Sequence, residues 1–405
     1  MKRFLNYCII ILFTALTLAS MQSCILEKES EPEPHTQTLI FYFAGTDLTL
    51  YYYNNISAIK DALRQDIKGK SRVVMLFQAS NKKSASIIEL TYNKGLCEEK
   101  ILGSVTLPSA MNADDLGDIL SRIIELAPGD SYSLIIGSHG LGWIPFGANP
   151  DDPEERSSLR SVTQPDDFWQ QSGDIKTRFI GEASNPENAF NITTLAEAIE
   201  QTGVKFEYIL FDACFMANVE SAYDLRNSAN YIIGSVCEIM GEGFPYADIL
   251  PKMLLDNGTR YDLDGICQSF HSFYESKKGY SGSISLIDCS QMEALAGAMR
   301  AINNGAKNSN YKLDYVQFYE GQPRHVFFDL GDYVNEYTAD AELKAAFDEQ
   351  MRRTVVKAYT LSKYYSAYGN RGYYNIDSYS GLNTSAPASV YQSHYIKTAW
   401  YKATH

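Results

Sequence analysis

Two stretches decide the fold: LIIGSHGLGW, Leu134–Trp143, and YILFDACFMANVE, Tyr208–Glu220. Each is an apolar run that stops abruptly at polar residues, Ser138-His139 in the first and Asp212-Ala213-Cys214 in the second. Runs apolar on both faces read as central strands of a parallel sheet covered by helices. In such open sheets, ligands bind at the carboxyl ends of the strands, so His139 and Cys214 are expected on one rim. A strand-end cysteine is by itself more often a packing residue than a nucleophile. Its pairing with a glycine-flanked histidine shifts that balance, because a buried imidazole needs partners that YSLII does not supply.

Working outward, strand-like runs alternate with helical periods, the signature of an α/β protein. TLIFYFAG (38–45) reads as a buried strand, followed by a helix over 53–67 with Ile56, Ile59, Leu63 and Ile67 on one face, and a strand over 71–80. A hairpin is expected around Gly95. NADDLGDILSRIIELAPG (112–129) reads as a helix capped by Asp114, and NITTLAEAIEQTG (191–203) as one capped by Thr193 or Thr194 and closed by Gly203. A further helix is expected from Phe215, directly after Cys214. The region beyond Cys289, with helical stretches at 290–304 and 340–369 and a Tyr-rich tail, reads as a smaller C-terminal helical or mixed region packed on the sheet domain, 38–289. Residues 144–179 show no sustained period and read as a long surface excursion.

The chemistry follows from this placement. A thiol becomes a nucleophile on deprotonation, which the unpaired amides at a helix start would favour at Cys214. His139 would then protonate the leaving amine, and Gly140 with the Cys214 amide would donate to the oxyanion.

SHGLGW, FDACFMANVESAYDLRNSANYIIGS and GEGFPY resemble the clostripain-like cysteine peptidases, relatives of caspases, legumains and gingipains, over about Thr38–Tyr246. The resemblance implies a caspase-like α/β/α sandwich with a largely parallel central sheet, and His139 and Cys214 as a dyad. It further implies that Asp212 lines the pocket for an Arg or Lys side chain before the scissile bond, a carboxylate–guanidinium pairing that is strong and selective. The alternative is that Asp212 caps the following helix or orients loop amides. In SVCEIMGEGFPY (235–246), Glu238 or Glu242 would supply a second acidic contact. Such enzymes are commonly activated by self-cleavage after a basic residue beyond the histidine, for which Arg156 and Arg160 are candidates. Some relatives require calcium, and NPDDPEE (149–155) is acidic enough to suggest a site. No required cofactor is expected, since no Cys/His zinc spacing or EF-hand spacing occurs. A catalytically silent surface protein that holds basic peptides on the same scaffold is the alternative function.

The formal charge of −14 over 405 residues excludes a general nucleic-acid binder. Lys2 and Arg3 followed by an apolar run to about Ala19 form an export signal, shorter than a membrane span. SMQSC resembles a relaxed lipobox that would make Cys24 the lipidated first residue after a signal peptide of residues 1–23, with 24–37 an acidic tether. The expectation is an exported lipoprotein of a bacterial outer membrane or cell surface. Five cysteines then remain, Cys97, Cys214, Cys237, Cys267 and Cys289, an odd number that leaves at least one thiol.

Overall fold

Strict alternation in β1 (Gln37–Phe43) sets the layers: Ile40 and Tyr42 point into one apolar core, and Leu39, Phe41 and Phe43 into the other. The computed structural model describes residues 37–43, 48–63, 71–78, 84–93, 95–108, 111–148, 190–255, 261–277 and 281–405. The signal, the tether up to residue 36, Cys24, Arg156, Arg160 and the 149–155 acidic stretch lie outside these residues, whereas Gln37, expected as the end of the tether, opens β1 and is fully buried.

Among the described residues a nine-stranded sheet runs in the order β10-β8-β7-β6-β5-β1-β2-β3-β4, with β10 the strand Val355–Thr360. Its centre, β2 (Ser71–Phe77), β1, β5 (Ser131–Gly137), β6 (Phe206–Asp212) and β7 (Ala229–Gly234), is parallel throughout. Antiparallel strands close both sides: the hairpin β3 (Ser84–Asn93) and β4 (Leu96–Thr106), turned by Gly95 at φ +89, and on the other side β8 (Ser283–Asp288). Helices α1 (Thr49–Leu63), α5 (Tyr246–Met253) and α6 (Leu263–Glu275) cover one face; α2 (Ala113–Leu126), α3 (Ile192–Thr202), α4 (Val219–Asp224) and α7 (Met292–Asn304) cover the other. This is the expected α/β/α sandwich. Chain order reverses between β1 and β5, so the His139 turn stands at a switch point, the place where such sheets hold ligands.

Several local expectations are corrected. The caps of α2 and α3 are Asn112 and Asn191, not Asp114 and Thr193 or Thr194; Asn112 Oδ1 accepts the Asp115 amide at 2.8 Å. The helix expected across 340–369 is α9 (Ala341–Thr354), and the chain then becomes β10 (Val355–Thr360), antiparallel to β8. The β-branched run Thr354-Val355-Val356 is a poor helix continuation, and the open side of β8 accepts it as a strand. Residues beyond Cys289 are therefore built into the main sheet, and Thr36–His405 forms one contact unit. Two short ladders complete that part: β11 (Lys363–Ser366) with β12 (Gly372–Asn375), and β13 (Asn383–Thr384) with β9 (Phe328–Asp329). Asp329 caps α8 (Leu330–Tyr337), and His325 precedes β9 outside any helix. The five cysteines are all thiols. Among the described residues no helix is long and apolar enough to cross a membrane.

Candidate active site

β5 and β6 are hydrogen-bonded neighbours whose register pairs Gly137 with Asp212, and the Ser138 amide donates to the Asp212 carbonyl at 3.4 Å. One step further, a Cβ at Gly140 would press on the Cys214 carbonyl oxygen and lie 2.8 Å from its amide nitrogen. Only glycine allows this approach, which is why the turn after His139 needs it. The two strand ends therefore bring His139, Gly140 and Cys214 together on one rim. Cys214 is 0% and His139 2% exposed in the intact chain.

The helix expected to open at Cys214 does not. Phe215 adopts φ +60, and the amides of Phe215 and Ala217 donate to the carbonyls of Cys237 (3.1 Å) and Ser235 (2.8 Å). Those bonds extend the β6–β7 association past the strands and delay the helix to Val219, where Asn218 Oδ1 caps it by accepting the Ser221 amide at 3.0 Å. A helix dipole is thus not what faces the sulfur. Cys214 Sγ instead accepts the Ile239 amide at 3.3 Å, with the Ile239 carbonyl at 3.7 Å. An N–H aimed at sulfur favours its anionic form in the way a helix start would. Ile239 went unseen in the sequence because it reaches Cys214 through the loop after β7.

Asp212 is fully buried, and its Oδ2 accepts the Tyr246 hydroxyl at 2.8 Å. It caps no helix, so the capping alternative is removed. Glu238 is a correction: it is buried, and its Oε1 accepts from Ser366 Oγ (2.6 Å) and the amides of Ala367 and Tyr368 (both 2.9 Å), so it anchors the C-terminal chain rather than facing a substrate. Glu242 lies on the exposed turn closed by Gly243, with Lys277 Nζ 3.9 Å away. Among the described residues no cluster of His, Cys, Asp and Glu could hold a metal. A cavity of about 350 Å³ between α1 and the β3–β4 hairpin, lined by Tyr53, Ile56, Met75 and Phe77 with Lys60 and Glu99, shares no residue with this site.

Beneath the rim, a polar network joins both turns to the C-terminal chain. Trp143 Nε1 donates to Ser385 Oγ (2.7 Å); the Ser385 amide (3.0 Å) and Thr384 Oγ1 (2.7 Å) donate to Glu220 Oε1. Asn218 Nδ2 donates to Glu220 Oε2 and to Asn383 Oδ1, both at 2.6 Å, and Asn383 Nδ2 donates to the Val236 carbonyl at 2.7 Å. Burial pushes the Glu220 carboxyl up from 4.5 to about 7, against the donors that favour its charged form. The folded chain then binds a proton more tightly than the unfolded one. Stability from this group is full below about pH 4.5 and is lost as pH rises through about 7. Glu220→Gln is expected to flatten the stability profile between pH 5 and pH 8 by about 3 kcal/mol. Urea melts at the two pH values check this; an unchanged pH slope would show that Glu220 is already ionised in the folded chain.

A cysteine and a glycine-flanked histidine at neighbouring strand ends of an α/β/α sandwich are the groups a thiol peptidase would require. The Clostripain family profile matches residues 164–399, which includes Cys214 and lies beyond His139. A secreted C11 cysteine protease of Bacteroides thetaiotaomicron, "iotapain", is 33% identical, with 92% of this chain and 100% of that one covered, at TM-score 0.79. An inactive zymogen C11 protease of Parabacteroides distasonis is 25% identical over 92% of this chain and 99% of that one, at TM-score 0.73. A clostripain of B. thetaiotaomicron, solved with the peptide inhibitor BTN-VLTK-AOMK, is 38% identical over 55% of this chain and 97% of that one, at TM-score 0.51. No curated protein matches. This chain belongs to the clostripain family of cysteine peptidases.

Proposed function

We propose that the chain is an exported, lipid-anchored endopeptidase in which Cys214 and His139 form the dyad and the bond after Arg or Lys is cut. The observation that carries this reading is the apposition of Gly140 to the Cys214 backbone at the ends of β5 and β6, with the Ile239 amide on the sulfur. The Cys214 thiolate attacks the scissile carbonyl and forms the C–S bond of a tetrahedral oxyanion, which Gly140 and the Cys214 amide receive. Collapse breaks the C–N bond as the His139 imidazolium protonates the leaving amine. Water then adds to the thioester, giving its proton to His139; the C–S bond breaks and the acid leaves, restoring the thiolate and imidazolium.

The basic preference is supported by the buried Asp212 carboxylate on the same rim and by a relative solved with an inhibitor whose peptide reads VLTK. Glu242 is the candidate for the second acidic contact. Anchoring through Cys24 and a surface location rest on the leader sequence, in keeping with a relative described as secreted. A calcium ion would be bound by the acidic stretch 149–155.

Burial of both dyad residues in the intact chain supports latency, and a relative is described as an inactive zymogen. Self-cleavage after Arg156 or Arg160 would then open the site. One experiment tests the catalytic part of this reading: the purified chain is incubated with a biotinylated arginyl acyloxymethyl ketone and analysed by intact and peptide mass spectrometry. The expected result is a fragment ending at Arg156 or Arg160 and biotin on Cys214. Biotin on Cys214 of an uncut chain removes self-activation alone, and absence of label on Cys214 leaves the silent binding protein as the reading.

A further inference from the structure

Phe215, the residue after Cys214, has φ +60, a region that bulky side chains rarely occupy. Such a conformation persists only where the surroundings over-determine it. Here its amide is held by the Cys237 carbonyl at 3.1 Å, and its ring stacks on Phe327, with centroids 4.5 Å apart at 15°. The edge of Tyr368 meets the same ring at 6.1 Å. On the other turn, Gly142 has φ +56, and a Cβ there would lie 3.1 Å from Phe327 Cε1 and 3.2 Å from the Phe215 carbonyl oxygen. One buried ring from the C-terminal part of the chain therefore touches the turn that carries His139 and the turn that carries Cys214.

The loop that presents Phe327 is itself fixed. The amides of Val326 (2.6 Å) and Phe327 (3.3 Å) donate to Oε1 of the buried Glu320, while the Gln322 amide (2.9 Å) and His325 Nδ1 (3.0 Å) meet its Oε2. The Phe327 carbonyl accepts the Tyr319 amide at 2.9 Å. A ring so held has little freedom to follow the turns; the turns must conform to it.

We propose that Phe327 is a positioning residue of this peptidase, holding the positive φ at Phe215 and the close passage of Gly142 and thereby setting the sulfur against the imidazole. The proposal rests on the dyad reading above. Plain core filling is the competing account, and the two differ in one respect. Loss of plain core packing lowers the folded fraction and leaves kcat per folded molecule unchanged, whereas loss of a contact that holds the turn lowers kcat per folded molecule. Once glycine, which adopts that φ freely, stands at 215, both the strain and the ring that Phe327 braces are gone.

The test is a double-mutant cycle on the full chain, with kcat and KM taken on an arginyl substrate and normalised to the folded fraction from circular dichroism. Phe327→Leu keeps buried apolar volume and loses the stack. It is expected to lower kcat roughly 10- to 100-fold, the cost of about an ångström of misplacement, with KM within about 3-fold. In a Phe215→Gly background the same substitution is expected to lower kcat less than about 3-fold. Equal losses in both backgrounds, or a loss confined to KM, would overturn the proposal. If Phe327→Leu does not fold, Phe327→Met provides the same comparison. Cys214→Ala run alongside separates the readings: activity surviving in it sinks the dyad and this proposal together, whereas an inactive Cys214→Ala with an unaffected Phe327→Leu sinks this proposal alone.

Discussion

Cys214→Ala is expected to lower peptide hydrolysis by roughly 10⁴- to 10⁶-fold, and His139→Ala by roughly 10²- to 10⁴-fold. A loss of 10⁴ corresponds to about 5.5 kcal/mol of barrier, beyond what a change in packing at the rim supplies. The difference between the two follows from their tasks. Without sulfur no acyl-enzyme forms, whereas without the imidazole the Ile239 amide, 3.3 Å from Sγ, still favours some thiolate. The double variant should be no slower than Cys214→Ala, because two groups that act in one step do not contribute independently. Progress curves of the four proteins on one fluorogenic peptide, with folding verified by matched melts, check this. Losses that multiply would show that the two groups do not act in one step, and a Cys214→Ala protein within about tenfold of the wild-type rate would place the nucleophile elsewhere.

The rim could be read from sequence because its determinants are local. Apolar runs such as Leu134–Ile136 and Tyr208–Phe211 fix strands and their burial, and polar residues directly after them must fall at strand ends. The helix over Ala113–Leu126 was equally legible from its buried stripe of Leu116, Ile119, Leu120 and Ile123. What surrounds the rim was not legible. Asn218 and Glu220 meet Asn383 and Thr384, and Glu238 meets Ser366 to Tyr368, across separations of 128 to 165 residues. Such pairs leave no periodicity in either segment. Glu238 misled because an acidic residue in a motif loop reads the same whether it faces a substrate or three donors of the C-terminal chain. The turn at Phe215 misled for a related reason: Met216, Val219 and Tyr223 keep helical spacing and are all buried, but the backbone amides before Asn218 are taken by the loop after β7. The strand β10 was hidden in a helix-like continuation, since only the vacant side of β8 decides for extended backbone.

Asp212→Asn is expected to lower kcat/KM for Arg and Lys substrates by roughly 30- to 160-fold, about 2–3 kcal/mol, and to change it far less for substrates with a neutral residue before the scissile bond. The side chain is fully buried and lies two residues from Cys214, so a cation reaching it leaves water and depends on the carboxylate for compensation. Asparagine preserves the shape, and its oxygen can still accept the Tyr246 hydroxyl, which now stands 2.8 Å from Oδ2. The turn around Cys214 should therefore survive, and the loss should appear as altered preference rather than as a dead enzyme. Glu242→Gln is the internal control. That carboxylate is about half exposed and already near Lys277, so solvent screens it and only a few-fold change is expected. The ratio of kcat/KM between matched Arg and Ala peptides is the quantity to compare. Were Asp212→Asn to keep the full preference for Arg while Glu242→Gln lost it, the selective charge would belong to the exposed turn, and Asp212 would be left with the single task of bracing Tyr246 beneath the rim.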